Sequence, residues 1–109
     1  MNLQQLAEKI SNNTHKENNN YSIDPVTISI IITIVTNLIK LWWACRSEKS
    51  IKSELQNPSF IFKVLLKREI RKQARRQDRV AIYGAFMDVT PKLTDQDIDN
   101  IIKEIGDKE

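Results

Sequence analysis

Glycine is nearly absent from this chain: there are two in 109 residues, alongside three prolines. Tight corners between strands need residues that tolerate positive φ, above all Gly and Asn. Such scarcity argues against a strand-and-turn architecture and for helices joined by few connections. Cysteine is equally scarce. Cys45 stands alone, which excludes an intrachain disulfide and a thiolate zinc site. The one histidine, His15, lies in the polar stretch Asn12-Asn13-Thr14-His15-Lys16-Glu17-Asn18-Asn19-Asn20 and reads as a solvated loop residue. Ser-His-Asp, Cys-His and multi-His metal arrangements would all depend on it. No pair of carboxylates has a spacing that suggests acid-base work. We therefore expect a protein that is not an enzyme and uses no cofactor.

A cleaved leader is not expected either. The first ten residues are amphipathic rather than apolar, and the hydrophobic run begins only after some twenty residues. That run would act as an uncleaved anchor if it met a membrane.

Charge is present and unevenly placed. The formal net charge is +3. Residues 1–57 hold six Lys/Arg against five Asp/Glu, residues 58–80 eight against two, and residues 81–109 three against seven. A basic segment followed by an acidic tail can pair head to tail within a chain, or between copies.

The hydrophobic pattern predicts an all-α fold of four to five helices, divided as 1–22, 23–46 and 47–109. Leu3, Leu6, Ala7 and Ile10 recur at i, i+3, i+4 and i+7, so residues 3–10 form a short helix. Residues 12–22 read as a polar linker. Asp24-Pro25 is a helix start, with a capping carboxylate before proline at the first helical position. The following segment alternates Val26, Ile28, Ile30, Ile32 and Ile34 with Thr27, Ser29 and Thr33, a strand-like rhythm of β-branched residues. Twenty residues without a turn are too many for an ordinary strand. A helix also organises them, placing Ser29, Thr33, Thr36, Asn37 and Lys40 on one narrow polar stripe. Helix is the reading adopted, with Ile28, Ile31, Ile32, Val35, Leu38, Ile39, Trp42 and Trp43 as its packing or membrane residues.

Ile51 and Leu55 mark a short helix or a turn within residues 46–57, with Ser47 or Ser50 as its cap. Asn57-Pro58 repeats the cap-then-proline device and opens a long helix, striped with Phe62, Leu66, Ile70, Ala74 and Gln77 and continued by Ala81, Ala85 and Phe86. Gly84 and the region of Asp78 are where it would break, and Pro91 ends it. Thr94 caps a last helix that buries Ile98, Ile101, Ile102 and Ile105, and Gly106 is its expected stop.

Three features bear on function. A twenty-residue helix rises about 30 Å, the thickness of a bilayer core. Trp42 and Trp43 sit where an interfacial belt belongs, with Arg46 and Lys49 beyond. The uncharged stretch is only residues 25–39, short for a span, and the other reading is burial against protein. A small chain offers few apolar faces to cover such a helix, so the expectation is a partner, lipid or protein, and not a compact stand-alone globule.

The second feature is the basic face of Lys63, Lys67, Arg68, Arg71, Lys72, Arg75, Arg76 and Arg79, opposite the Phe62/Leu66/Ile70 stripe. Its spacing suits a phosphate backbone, an anionic surface or an acidic neighbour such as the Asp95/Asp97/Asp99 segment, and it reads equally well as the solvated face of an amphipathic helix. No motif that reads a base sequence accompanies it. The third feature is that acidic segment itself. It resembles the start of a calcium loop, but Asn100 and Gly106 occupy the positions where such a loop needs Gly and a bidentate Glu. Capping of the last helix accounts for it.

The Asn/Ile/Lys-heavy usage, the start Asp24-Pro25-Val26-Thr27-Ile28-Ser29-Ile30 and the segment Leu65-Leu66-Lys67-Arg68-Glu69-Ile70-Arg71-Lys72 together resemble the layout of small accessory proteins of bacteriophages, especially structural components of the virion. The resemblance is one of layout and transfers no functional residue. It implies an oligomeric structural or assembly protein, in a virion or the host cytoplasm. Its hydrophobic helix would pack on other chains, and its basic helix would meet DNA or an acidic partner. The alternatives are a single-span or membrane-active protein with a basic cytoplasmic part, and a nucleic-acid accessory protein indifferent to sequence.

Overall fold

The computed structural model of the chain describes residues 1–14, 25–45, 48–75 and 79–107. Among them are six α-helices and one 3-10 turn: α1 Leu3–Thr14, α2 Pro25–Cys45, α3 Glu48–Gln56, α4 Phe60–Gln73, α5 Arg79–Val89, the turn Thr90–Lys92, and α6 Asp95–Asp107. The described residues contain no strand, in line with the shortage of glycine.

Helix α1 begins with a reciprocal cap that the sequence reading passed over. Asn2 Oδ1 accepts from the Gln5 amide at 2.8 Å, and Gln5 Oε1 accepts from the Asn2 amide at 3.0 Å. Two otherwise free donors are satisfied at once. The helix runs to Thr14, four residues past its expected end. Its last turn lies where a linker was expected. Packing against α5 and α2 buries Leu3, Leu6, Ala7, Ile10 and also Ser11. That burial outweighs the local preference of Asn and Ser for non-helical backbone.

The ambiguous β-branched segment is helical throughout α2. Thr27, Ile28, Ile31, Ile34, Val35, Leu38, Ile39 and Trp42 are buried, a stripe at the spacing of successive helical turns. Intrinsic β preference yields because each buried aliphatic side chain contributes about 1.5–3 kcal/mol, while the helix propensity penalty per residue is under about 1 kcal/mol.

Three helices cover that stripe. Helices α1, α3 and α4 all pack on α2. Trp42 meets Phe62 edge to face at 5.5 Å, and Asn37 Nδ2 donates to Glu69 Oε2 at 3.3 Å. The two contacts set α2 and α4 antiparallel. The expectation of a non-compact chain is thus overturned. The radius of gyration is 13.1 Å, the value of about 13 Å that a packed domain of this length has. One hydrophobic cluster draws on all six helices. No one short helix could cover α2, but α1, α3 and α4 cover it together.

The long basic helix is two helices, α4 ending at Gln73 and α5 beginning at Arg79, so the break falls by the Asp78 region, one of the two places expected, and not at Gly84. Ser59, not Asn57, is the cap of α4. Its Oγ accepts from the Phe62 amide at 3.3 Å, and Glu54 Oε2 accepts from both the amide and the hydroxyl of Ser59. The helix stops at Gln73, where Ala74 leaves helical geometry with ψ of 74°. Arg79 Nε donates to the Ala74 carbonyl at 2.8 Å, so the first residue of α5 holds the end of α4. Helix α5 then returns beside α4, with Lys67 Nζ 5.1 Å from the centroid of the Tyr83 ring. Gly84 lies inside α5 and is not a break. Buried Thr90 donates to the Phe86 carbonyl at 2.7 Å and closes α5 before Pro91.

Helix α6 is capped as expected. The Asp97 amide donates to Thr94 Oγ1 and the Thr94 amide to Asp97 Oδ2, both at 3.2 Å. Ile98, Ile101, Ile102 and Ile105 are buried. Gly106 is not a stop: it has no positive φ and lies within the helix, under the edge of the Trp43 ring. His15, Asp24, Arg46, Arg76, Gln77 and Asp78, with most of the expected linker, lie outside the described residues.

Candidate functional site

The expected packing residues of α2 divide. Ile28, Ile31, Val35, Leu38, Ile39 and Trp42 are buried, Ile32 is half-buried, and Trp43 is 39% exposed. Fully buried Ile34 belongs with them and was not expected. The signal for it was its i+3 relation to Ile31, obscured by the alternating pattern. The polar stripe forms the wet edge of the helix. Ser29 and Lys40 are exposed, and Thr33, Thr36 and Asn37 are half-buried. Thr33 Oγ1 donates back to the Ser29 carbonyl at 3.0 Å, and Asn37 reaches Glu69 within the chain. By length and composition alone, Pro25–Ala44 would also cross a membrane.

The basic residues of α4 are where the pattern placed them. Lys63, Lys67, Arg68, Arg71, Lys72 and Arg75 are exposed. Arg79 is exposed as well, but its side chain is committed to the Ala74 carbonyl. Lys72 lies 3.9 Å from Glu69, a loose surface pair. Lys63, Arg68, Arg71 and Arg75 have no ion pair among the described residues. The acidic residues of α6 are occupied elsewhere. Asp99 pairs with Lys52, Asp95 accepts from Gln56 at 2.8 Å, and Asp97 is held by Thr94 and lies 3.6 Å from the Met1 ammonium. None of these partners is on α4. The Asp97 carboxyl sits below the usual carboxylate range. The Thr94 backbone amide is the main cause, with smaller help from the Thr94 hydroxyl and the Met1 ammonium, against some loss of hydration.

What the sequence reading missed is the other half of that same face. Phe60 is 80% exposed, Ile61 57% and Val64 47%. With Phe62, Leu66 and Ile70 facing the core, a period of 3.6 turns Phe60, Ile61 and Val64 outward, on the side of Arg68, Arg71 and Arg75. The signal was available in the same helical wheel: a solvent face should be polar, and the first turn of this one is not. The outer face of α4 is therefore apolar at its N-terminal end and cationic at its C-terminal end.

Beside it, between α2 and α4, runs an open groove of about 440 Å³ lined by Asn37, Lys40, Leu41, Leu65, Arg68, Glu69 and Lys72. It widens the face by one helix and repeats its mixture of aliphatic and cationic groups. A second cleft, of about 240 Å³, lies among Lys9, Asn13, Asp88, Lys92 and Asp97. Its two lysines and two aspartates leave it without a net preference for either sign of ligand. Among the described residues no group of three His, Cys, Asp or Glu side chains is placed to hold a metal. No family model, no curated protein and no solved structure matches the chain.

Proposed function

We propose that this chain is a non-catalytic docking subunit of a larger assembly, with α2 as its internal spine and the outer face of α4 as the surface that meets its partner. One observation carries the reading. Phe60, Ile61 and Val64 lie bare on the same side of α4 as unpaired Arg68, Arg71 and Arg75. Monomeric soluble proteins rarely keep contiguous large apolar groups in water unless a partner covers them. The charge on the same face favours an acidic partner. The likeness of layout to small phage accessory proteins agrees with such a role and suggests a virion or host setting.

This reading changes the part given to the hydrophobic helix. Its buried residues are turned to α1, α3 and α4, so assembly through them would first require unpacking the core, and only Val26, Leu41 and Trp43 are left exposed on it as large apolar side chains. Assembly through α4 requires no unpacking.

Association of the purified chain tests the reading, measured by sedimentation at rising concentration alone, with duplex DNA, and with anionic vesicles. At least one should give association that the paired change Val64→Asp and Arg68→Glu weakens about tenfold or more, with helical circular dichroism and the urea midpoint unchanged. A chain that sediments as a free monomer in all three settings overturns the proposal, and so does undiminished association of the double variant.

A further inference from the structure

We infer that the partner of the α4 face is an anionic lipid bilayer. This rests on the docking reading above and names the chemistry of its partner. One surface here makes two demands on its partner at once. The apolar end holds Phe60, Ile61 and Val64, three large apolar side chains exposed within five residues. The cationic end holds Arg68, Arg71 and Arg75, with Lys63 and Lys67 on the flank, none of them ion-paired among the described residues. Both ends face the same way, so a partner must take the two together.

A duplex would satisfy only half of this. Its phosphates suit the cations, but Phe60, Ile61 and Val64 would lie against a hydrated, charged backbone. A second copy of the chain fits no better. The acidic residues of α6 are engaged by Lys52, Gln56 and Thr94, and exposed Asp88 of α5 offers one carboxylate against several cations. The isoleucines of α6 are buried in their own core. A bilayer supplies both requirements at neighbouring depths: acyl chains below and headgroup phosphates above.

The dimensions agree. Interfacial helices sink their apolar side roughly 5–10 Å into the boundary between headgroups and acyl chains. Seven residues separate Val64 from Arg71, about 10 Å along the axis, so a tilt of about 30° to the membrane plane sets them about 5 Å apart in depth. If the N-terminal end of α4 dips by that depth, Phe60, Ile61 and Val64 reach the acyl boundary. Arg68, Arg71 and Arg75 then stand at the headgroups, within about a Debye length of the surface charge. The long stem of Lys63 reaches back to the phosphates from the flank. Leu41, 43% exposed on the adjoining rim of α2, lines the groove with Leu65 and Lys40, so the contact extends beyond one helix. The core stays closed, which separates this mode from insertion of α2.

Vesicle co-sedimentation of the full chain tests the inference. The vesicles are phosphatidylcholine alone, or phosphatidylcholine with phosphatidylserine. Two triple variants are compared: Phe60→Ser/Ile61→Ser/Val64→Ser and Arg68→Gln/Arg71→Gln/Arg75→Gln. All six positions are exposed, and an unchanged urea midpoint verifies each fold. The wild type is expected to bind the anionic vesicles and to be released by salt. The arginine variant is expected to bind about a hundredfold more weakly, from roughly fivefold per cation lost. The apolar variant should also fall by about tenfold or more, and binding by the wild type should leave α2 protected from hydrogen exchange. Equal binding to both vesicle types, full binding by the apolar variant, or exposure of α2 to exchange overturns the inference. If vesicles are ignored while duplex DNA binding or self-association depends on Arg68, Arg71 and Arg75, the lipid inference fails and the docking reading stands. If nothing binds, both fall.

Discussion

Asp97 shows how much one side chain can be asked to do. Its carboxylate accepts from the Thr94 amide, its own amide donates to the Thr94 hydroxyl, and it lies beside the Met1 ammonium at the start of α6. These contacts favour the ionised form and hold its pKa low in the folded chain. A group with a depressed folded pKa contributes its stability above its unfolded value, near about 4, and loses it as pH falls through the folded value. Asp97→Asn should therefore be less stable than wild type at neutral pH, and the gap should narrow below about pH 4. Urea midpoints taken at both ends of that range check it. A gap that stays constant down to strong acid would separate the cap from the charge. The Thr94–Asp97 cap was legible in the sequence, because a Thr followed three residues later by an acid is a local signature. Its contact with Met1 was not, since that needs α1 and α6 to be brought together.

At the scale of the element, α4 and α5 illustrate what periodicity shows and what it hides. The buried stripe of Phe62, Leu66 and Ile70 was readable at a period of 3.6, and so was the cationic face opposite. A break by the Asp78 region was expected as well, but its start at Ala74 was not legible, because no Pro or Gly marks it. It is set by the return of α5 against α4, by Lys67 over Tyr83, and by Arg79 on the Ala74 carbonyl. Gly84 looked like the breaker and is instead an exposed position inside α5, where an added Cβ meets nothing within 4 Å. Gly84→Ala should raise stability by about 1 kcal/mol, through helix propensity and a less free unfolded chain. A higher urea midpoint at unchanged slope would show it. An equal or lower midpoint would mean that this turn of α5 needs the glycine.

At the scale of the molecule, the hydrophobic helix has become the centre of a domain. Ile34 is fully buried at the middle of α2. Ile34→Ala should cost about 2–5 kcal/mol, a large part of the roughly 5–15 kcal/mol that a domain of this kind has in total. The cost should be seen in detergent-free buffer, without lipid or partner, as a single cooperative transition shifted to lower urea. A loss well below 1 kcal/mol would mean that α2 is not the core of the isolated chain.

The sequence by itself determined that the described residues are helical, because the signals are local: few glycines and apolar side chains at helical spacing; it did not place the Ser59 cap or the end of α4 at Ala74. It also determined which side of α3, α4 and α6 turns inward. Only the tertiary structure decided whether α2 needs an outside partner. That question depends on whether the short stripes of α1, α3 and α4 can reach the same helix together, and contacts between distant segments leave no periodic trace. The same packing turned attention from α2 to α4. Once the core side of α4 was occupied, Phe60, Ile61 and Val64 had nowhere to go but out.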